Sequence, residues 1–459
     1  MDQSVKNQLT GIVGEQNASD ALMDLVSYSY DFSGYRFRPD MAVWPTTTEQ
    51  ISEILKLAGR KKTPVVPRGA GTGATGMAVP KEGGVVLDLL RMNRILRISI
   101  EDRLAIVQPG VVYAALQDAL GPYGFFFPPD PASGKVATLG GNVSTNAGGL
   151  KGAKYGTTKD YVLALEVVLP DGRVMRTGSN CMKSVSGYDM TKLFVGSEGT
   201  LGVITEITLK IDPQPTATTT AVGSFEKLEQ AGKAVSEIMH SGIIPSVCEL
   251  LDRNIINLLI EQAGLDLPRA EAMILVETDG YTRAETDFQM EKVLDVFKEN
   301  RALEIKKAAS AEEAEELWQA RRSMGGILVG LRPDFLVEDV TVPISRLTDL
   351  IRGIERIAEK YVVEIINFGH AGDGNLHPHF MYDGSHPEEV EQVEKASAEL
   401  FGLACELGGT LSGEHGIGLA KASFMGLEHD PAAMDMMRAI KKLFDPDNIL
   451  NPGKMGLES

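Results

Sequence analysis

The chain has 459 residues, of which 43% are hydrophobic and 24% charged, and its formal net charge is −18 at pH 7. That length exceeds what a single core serves and predicts two or three domains, and the hydrophobic share is that of an ordinary globular protein. The acidic balance excludes binding to a nucleic-acid backbone, which needs clustered Lys and Arg, but it allows an anionic substrate in a local basic pocket.

Residues 1 to about 35 read as short helices, and MDQSVKNQLTGIVGEQ lacks the apolar run of a signal peptide. No stretch of about 18 apolar residues occurs anywhere, so no membrane span is expected. Val43 to Pro45 reads as a strand, followed by a capped helix in TTTEQISEILKLAGRKK that ends near Gly59. TPVVPRGAGTGATG is then a short strand running into a glycine loop. Gly71, Gly73 and Gly76 fit G-x-G-x-x-G, but a dinucleotide fingerprint must open a helix, and Pro80 with Gly83-Gly84 forbids one there. Nicotinamide binding is therefore disfavoured. The loop can still converge N–H groups on a phosphate, with Arg68 either adding charge or pairing with a carboxylate.

A second glycine-rich run, ATLGGNVSTNAGGLKGAKYG, spans 137–156; two such runs suggest one long ligand with a diphosphate, FAD being the obvious candidate. YVLALEVVLPDGRVMRT reads as a hairpin turning at Asp171-Gly172, and VITEITLKI as a half-buried strand. PQPTATTT, from Pro213, marks a domain boundary. Beyond it, helices in SFEKLEQAGKAVSEIMHSG and TRAETDFQMEKVLDVFKENR flank the strand AMILVETDG, which predicts helices packed on one face of a sheet. The expected organisation is a helical segment 1–36, a cofactor domain 37–213, a substrate or cap domain 214–430 and a C-terminal segment 431–459, where KKLFDPDNILNPGKM reads as a short helix and a turn.

Cys181, Cys248 and Cys405 are too few and too scattered for a disulfide framework or an iron–sulfur centre, which fits a reduced, cytoplasmic setting and leaves any such centre to a partner polypeptide. Of seven histidines, His370, His377 and His379 fall in one short stretch and His415 lies in SGEHGIG. His370, His377 and Glu414 would give three ligands and an open position, a donor set for Zn or Fe(II) more than Mg; the alternative is a set of hydrogen-bonded loop histidines. His379 is a fourth ligand, a partner of a ligand or a substrate contact. In ELWQARRSMGG, Trp318 and Arg321 share a helix face, and Arg321 suits bidentate carboxylate binding; the alternatives are a surface pair with Glu313 or Glu316, or Arg322 in its place.

PRGAGTG, FFPPDPAS, ATLGGNVSTNAGG, YGTTKDYVLALEVVLPDG and GSEGTLGVITEITL resemble the vanillyl-alcohol-oxidase-type FAD-binding domain. GHAGDGNLHPH, GEHGIG and FDPDNILNPGK narrow the resemblance to the glycolate oxidase FAD subunit, D-lactate dehydrogenase and D-2-hydroxyglutarate dehydrogenase family, over nearly the whole chain. The resemblance implies an α+β protein: an FAD domain of two α/β subdomains and an α+β cap with an antiparallel sheet. It implies that Pro67, Arg68, Gly69, Ala70, Gly71, Thr72 and Gly73 wrap the pyrophosphate. Thr138, Gly140, Gly141, Asn142, Ser144, Thr145 and Gly148 would meet the diphosphate and ribityl side. Pro131 and Ser133 would lie near the flavin, Glu198, Gly199 and Ile204 near the adenosine, and Asn451 near the isoalloxazine. Thr72 stands near where some relatives attach FAD through a His, so the expected FAD is non-covalent. The resemblance also places a divalent metal on His370, His377 and Glu414. The expected reaction is oxidation of a small D-2-hydroxy acid, D-lactate first and then glycolate, with His415 as base and Arg321 on the carboxylate. Electrons would pass to an electron-transfer flavoprotein or an iron–sulfur partner subunit. Two alternatives are the FAD subunit of a multi-subunit glycolate oxidase, or an electron-transferring subunit without its own substrate. Relatives acting on dicarboxylic acids tend to carry an added basic residue in the strand FLVEDVTVP; here it holds Val337, Glu338 and Asp339, which favours a monocarboxylate.

Overall fold

A computed structural model of the chain describes residues 1–264 and 267–458. Two compact units emerge: Met1–Gly148 with Thr157–Gln214 and Glu414–Ser459, and Gly149–Gly156 with Pro215–Gly413. Three expected boundaries change. The segment 1–36 is no separate piece, because helix Gln3–Val13 buries Val5, Leu9 and Val13 in the core of Ile51, Leu55, Val65 and Leu87. The second unit ends at Gly413 and not at 430, because the following chain returns to the first unit, where the N–H groups of Leu419 and Ala420 donate to Thr75. The stretch Gly149–Gly156 belongs to the second unit although it lies inside the glycine-rich run: Lys154 pairs with Asp279, and the Tyr155 hydroxyl donates to the same carboxylate at 2.6 Å.

In the first unit, Met41–Val43 and Val65–Arg68 each pair in parallel with Val85–Asp88, and Ala18–Ser19 adds an antiparallel edge. Helix Thr48–Lys61 starts where the Thr47 side chain accepts the Gln50 N–H, and stops at Lys62 with φ 51. A second, antiparallel sheet runs Ile95–Ser99, Leu104–Val107, Val203–Lys210, Val162–Val168, Val174–Gly178. The expected half-buried alternation in Val203–Lys210 is not kept. This strand lies between two cores, with Ile204, Ile207 and Leu209 in one and Val203 in the other, so even Thr205 is buried and its hydroxyl bonds Glu166 at 2.9 Å. The C-terminal helix is longer than expected, Pro431–Phe444, because Asp430 caps it upstream of the KKLF turn.

The second unit is built on an eight-stranded antiparallel sheet whose main path runs Glu304–Lys307, Ala217–Phe225, Ala272–Gly280, Val247–Asp252, Glu364–His370, Asn375–Tyr382, Asp334–Val337. Helices cover both faces, not one. Val222, Leu275 and Phe368 pack on helices Arg253–Ala263 and Ala311–Val329, while Phe225, which alternates with Val222, meets Phe297 of helix Arg283–Glu299 edge-on at 5.7 Å. The continuous apolar run AMILV is the pattern of a strand covered on both sides.

Lys441 fastens the C-terminal helix. Buried, its ammonium donates to Thr200 O and Leu450 O at 2.9 Å and to Asp445 at 2.6 Å. Lys441→Met leaves the buried Asp445 carboxylate without its cation, held only by the N–H groups of Ile449 and Leu450, and strands two carbonyls, so it should destabilise the protein by about 3 kcal/mol, read as a lower urea midpoint for loss of near-UV circular dichroism.

Candidate functional site

The first unit brings the two glycine-rich runs together. Val65–Arg68 delivers the chain to Gly69, where a Cβ would collide with the Thr138 hydroxyl and lie 3.8 Å from Gly141 Cα. Gly140 is held as tightly, a Cβ there falling 2.5 Å from Pro109 Cβ. Thr138 also caps the short helix Leu139–Thr145 by accepting the Gly141 N–H at 3.3 Å, structure that two glycines hid from sequence reading. Gly141, Ser144 and Thr145 stay half-buried on one side of that helix, as do Pro67 and Gly69 to Gly73 in the loop, so both runs keep an accessible edge. Gly199, at φ 70, packs on Pro67. Pro131 and Ser133 form turns that accept the N–H groups of Gly134 and Ala137 at 2.8 Å, just before Thr138. Ile204 sends its side chain into the core, which leaves only its backbone available to a ligand.

Arg68 ends the strand Val65–Arg68 and is buried. Its guanidinium is buried 5.5 Å from the Tyr28 ring, donates to Ala78 O at 3.2 Å and lies under the fields of Asp31 and Asp88; Gly71, at φ 71, has no room for a Cβ beside it. The loop therefore winds around a buried guanidinium.

Two buried amide atoms, Asn142 Nδ2 and Asn451 Oδ1, have no hydrogen-bond partner among the described residues. A buried amide left so costs about 1–3 kcal/mol, and both lie in this glycine-walled unit. A ligand with polar groups along its length, as FAD has, suits both the close backbone and the two atoms. The Asn451 side chain is held in place from its other end. Its backbone sits at φ 44, and its Nδ2 donates to Met77 O at 3.0 Å and to Glu198 O at 2.7 Å.

Glu198 is buried and fastens the loop that carries His415. Both carboxylate oxygens accept backbone N–H groups of the SGEHGIG loop, Ile417 at 2.6 Å and Gly418 at 2.8 Å. Thr75 holds the same loop by donating to His415 O at 3.4 Å. Glu414, at the start of this segment, lies against the second glycine run, with a Cβ on Gly148 falling 2.6 Å from its Oε2. Burial raises the Glu198 carboxyl to about 7 in spite of its two N–H donors, and burial draws nearby Lys454 down to about 8.

In the second unit, register gathers the histidines. Glu249 pairs with His370, Phe368 with His377, and Ile366 with His379, so alternate side chains of three strands share one face. The His370 and His377 rings meet edge-on at 5.1 Å, and His379 stacks on Phe368 at 4.6 Å with its Nδ1 2.6 Å from His377 O. His370 donates from Nδ1 to Glu249 Oε1 at 2.5 Å, the arrangement that leaves Nε2 as the ligating nitrogen. Asp339, fully buried, lies 3.9 Å from His377 Nδ1 and accepts from Asn375 at 2.5 Å and Ser412 at 2.7 Å. Imidazoles backed by carboxylates fit a Zn- or Fe(II)-type cation.

Arg321, on helix Ala311–Val329, pairs with neither Glu313 nor Glu316. Its Nε donates to Glu249 Oε2 at 2.7 Å, and its guanidinium lies 4.9 Å from the Phe368 ring; Trp318, on the same face, donates to Glu277 at 2.9 Å. Arg322 points elsewhere, to exposed Glu315. Burial alone would raise the Glu249 carboxyl, but His370 and Arg321 reverse this and bring it to about 2. Sequence reading missed Glu249. The available signal was one acid inside the apolar strand SVCELL, a charge that folding buries only with partners.

The family profile for FAD linked oxidases, C-terminal domain, matches residues 214–455, and that for an FAD binding domain matches residues 39–178. The chain is 44% identical over 454 residues to glycolate oxidase subunit GlcD of Bacillus subtilis, covering 98% of this chain and 96% of that one. It is 38% identical over 419 residues to a D-lactate dehydrogenase of Archaeoglobus fulgidus, covering 90% and 91%. Among solved structures, p-cresol methylhydroxylase with substrate bound superposes with TM-score 0.84 at 20% identity over 99% of this chain and 97% of that one, a likeness of fold.

The raised Glu198 carboxyl has a pH signature. Its folded value of about 7 stands above the 4.5 of the unperturbed group, so the folded state keeps a proton that the unfolded chain releases. The group's contribution is therefore greatest below pH 4.5 and declines by up to about 3 kcal/mol as pH rises to 7. Glu198→Gln removes that slope. Calorimetric Tm between pH 5 and 8 should fall less steeply in the variant than in the parent.

Proposed function

The chain belongs to the FAD-linked oxidase family, with the vanillyl-alcohol-oxidase type of fold, and from that premise we propose that it oxidises a small D-2-hydroxy acid to the 2-oxo acid. The substrate favoured is D-lactate, then glycolate. The observation that carries this reading is the face of the second unit where Arg321 and the histidines His370 and His377 converge on Glu249 and Asp339. That face offers one cationic group for one carboxylate and imidazoles for a hydroxyl-binding cation.

FAD, bound non-covalently by the glycine runs, supplies the hydride acceptor. A divalent cation would be held by His370, His377 and Glu414 and would supply Lewis acidity to the substrate hydroxyl. The Nη groups of Arg321, which have no hydrogen-bond partner among the described residues, take the substrate carboxylate while Nε stays on Glu249. An imidazole nitrogen of His415 takes the hydroxyl proton, imidazole titrating close to neutral pH. Glu198 and Thr75 hold the His415 backbone against drift, and a small displacement of a catalytic group costs rate steeply.

The strand Asp334–Val337 and the residues after it supply acids and no second cation: Glu338 accepts from Ser397 at 2.7 Å, and Asp339 is engaged by Asn375 and Ser412. This supports a monocarboxylate. The curated relatives named as glycolate oxidase subunits also support a partner polypeptide as the electron acceptor, an iron–sulfur subunit or an electron-transfer flavoprotein. No helix among the described residues is long and apolar enough to cross a membrane.

Anaerobic mixing of the yellow holoprotein with a panel of D- and L-2-hydroxy acids tests the reading: D-lactate should bleach the flavin faster than D-2-hydroxyglutarate, and bleaching only by L-acids or phenols would overturn it. His415→Ala should lower kcat by at least about 100-fold with flavin retained, while Arg321→Ala should act mainly on KM. A His415→Ala protein with parental kcat removes the histidine from the chemistry.

A further inference from the structure

We infer that Glu249 is a positioning residue that orients His370 and Arg321 with one carboxylate, serving the cation and the substrate carboxylate together. The inference rests on the roles proposed above for His370 and Arg321, and goes beyond them by giving those roles a common dependence. Glu249 is fully buried in the strand Val247–Asp252. Its Oε1 lies 2.5 Å from His370 Nδ1 and its Oε2 2.7 Å from Arg321 Nε. Each oxygen has its own partner, so the carboxylate cannot turn to serve one without releasing the other. The Phe368 ring, 4.9 Å from the guanidinium, restrains Arg321 from a second direction. A pair placed only for stability needs no such division of oxygens, since a buried ion pair roughly breaks even against apolar packing.

The chemistry of the two partners makes the claim sharp. Ligation through Nε2 requires the proton of His370 on Nδ1, and Arg321 Nε–H is a donor always. Glu249 therefore faces two donors and must accept from both. A glutamine of the same shape cannot. If its oxygen faces Arg321, its NH₂ faces His370 and selects the tautomer protonated on Nε2, which binds no cation. If its oxygen faces His370, NH₂ meets the Arg321 N–H and the guanidinium is displaced.

The test is a calorimetric titration of Zn²⁺ into EDTA-treated, FAD-loaded protein, followed by D-lactate kinetics at saturating Zn²⁺. Glu249→Gln should weaken Zn²⁺ binding by roughly 10- to 100-fold with flavin absorbance unchanged. Saturating Zn²⁺ should refill the site yet leave KM raised as in Arg321→Ala, with no further rise in the double variant. Parental Zn²⁺ affinity in Glu249→Gln, with binding lost in His370→Ala, overturns the inference and leaves the cation site standing. Unchanged binding in both variants removes the cation site as well. Parental KM at saturating Zn²⁺ shows that Glu249 serves the cation alone and overturns the shared role. Should Glu249→Gln fail to retain flavin, Glu249→Asp, which keeps the charge but is one methylene too short to span both partners, is read on the same two axes with the same expected directions.

Discussion

The first unit depends on the close approach of two glycine runs far apart in sequence. Gly69 has no space for a Cβ beside Thr138, and Gly140 none beside Pro109. A side chain at Gly69 would part the two runs, and one at Gly140 would push the second run off Pro109. The strands behind the runs exist to bring the chain to those contacts at the right height. Val65–Arg68 aims the first loop, and the capped turn at Thr138 aims the second.

Buried acids recur as the fixings of functional segments. Glu198 holds the backbone beyond His415 through two N–H groups, Glu249 holds a histidine and an arginine, and Asp339 holds Asn375 and Ser412 close to His377. A buried carboxylate without partners costs several kcal/mol, so each of these groups strongly disfavours any arrangement in which its partners are elsewhere. The apolar cores set where the strands lie, and the acids set the exact facing of a ring or a loop upon them. The acids nearest the histidines, Glu249 and Asp339, are both engaged in this way.

Much of this was legible before folding. The glycine runs, the histidine cluster and the Trp318–Arg321 face were visible because each is local in sequence, and the domain change near Pro213 was marked by composition. What was missed is long-range. The partner of Arg321 lies in a strand far from it in the chain, and no spacing rule links Glu249 to either Arg321 or His370; only sheet register does. The helix Leu139–Thr145 was hidden because its glycines argue against a helix, and its short length is supported by the Thr138 cap and by packing of Leu139 and Val143 in the core. Helices on both faces of the second sheet follow from the continuous apolar strand AMILV, a pattern that a search for alternation passes over.

The chain leaves the first unit and returns to it twice, at Gly149–Gly156 and again over Pro215–Gly413. This interleaving sets an order on biosynthesis. A ribosome delivers the glycine loops early, but Asn451, Lys441 and the N–H groups that Glu198 grips are made only after the second unit. The nascent cofactor domain must therefore wait, incomplete, while the whole second unit is translated. Completion of the first unit is thus a late event, and a chain terminated before residue 414 lacks the residues that fasten its loops.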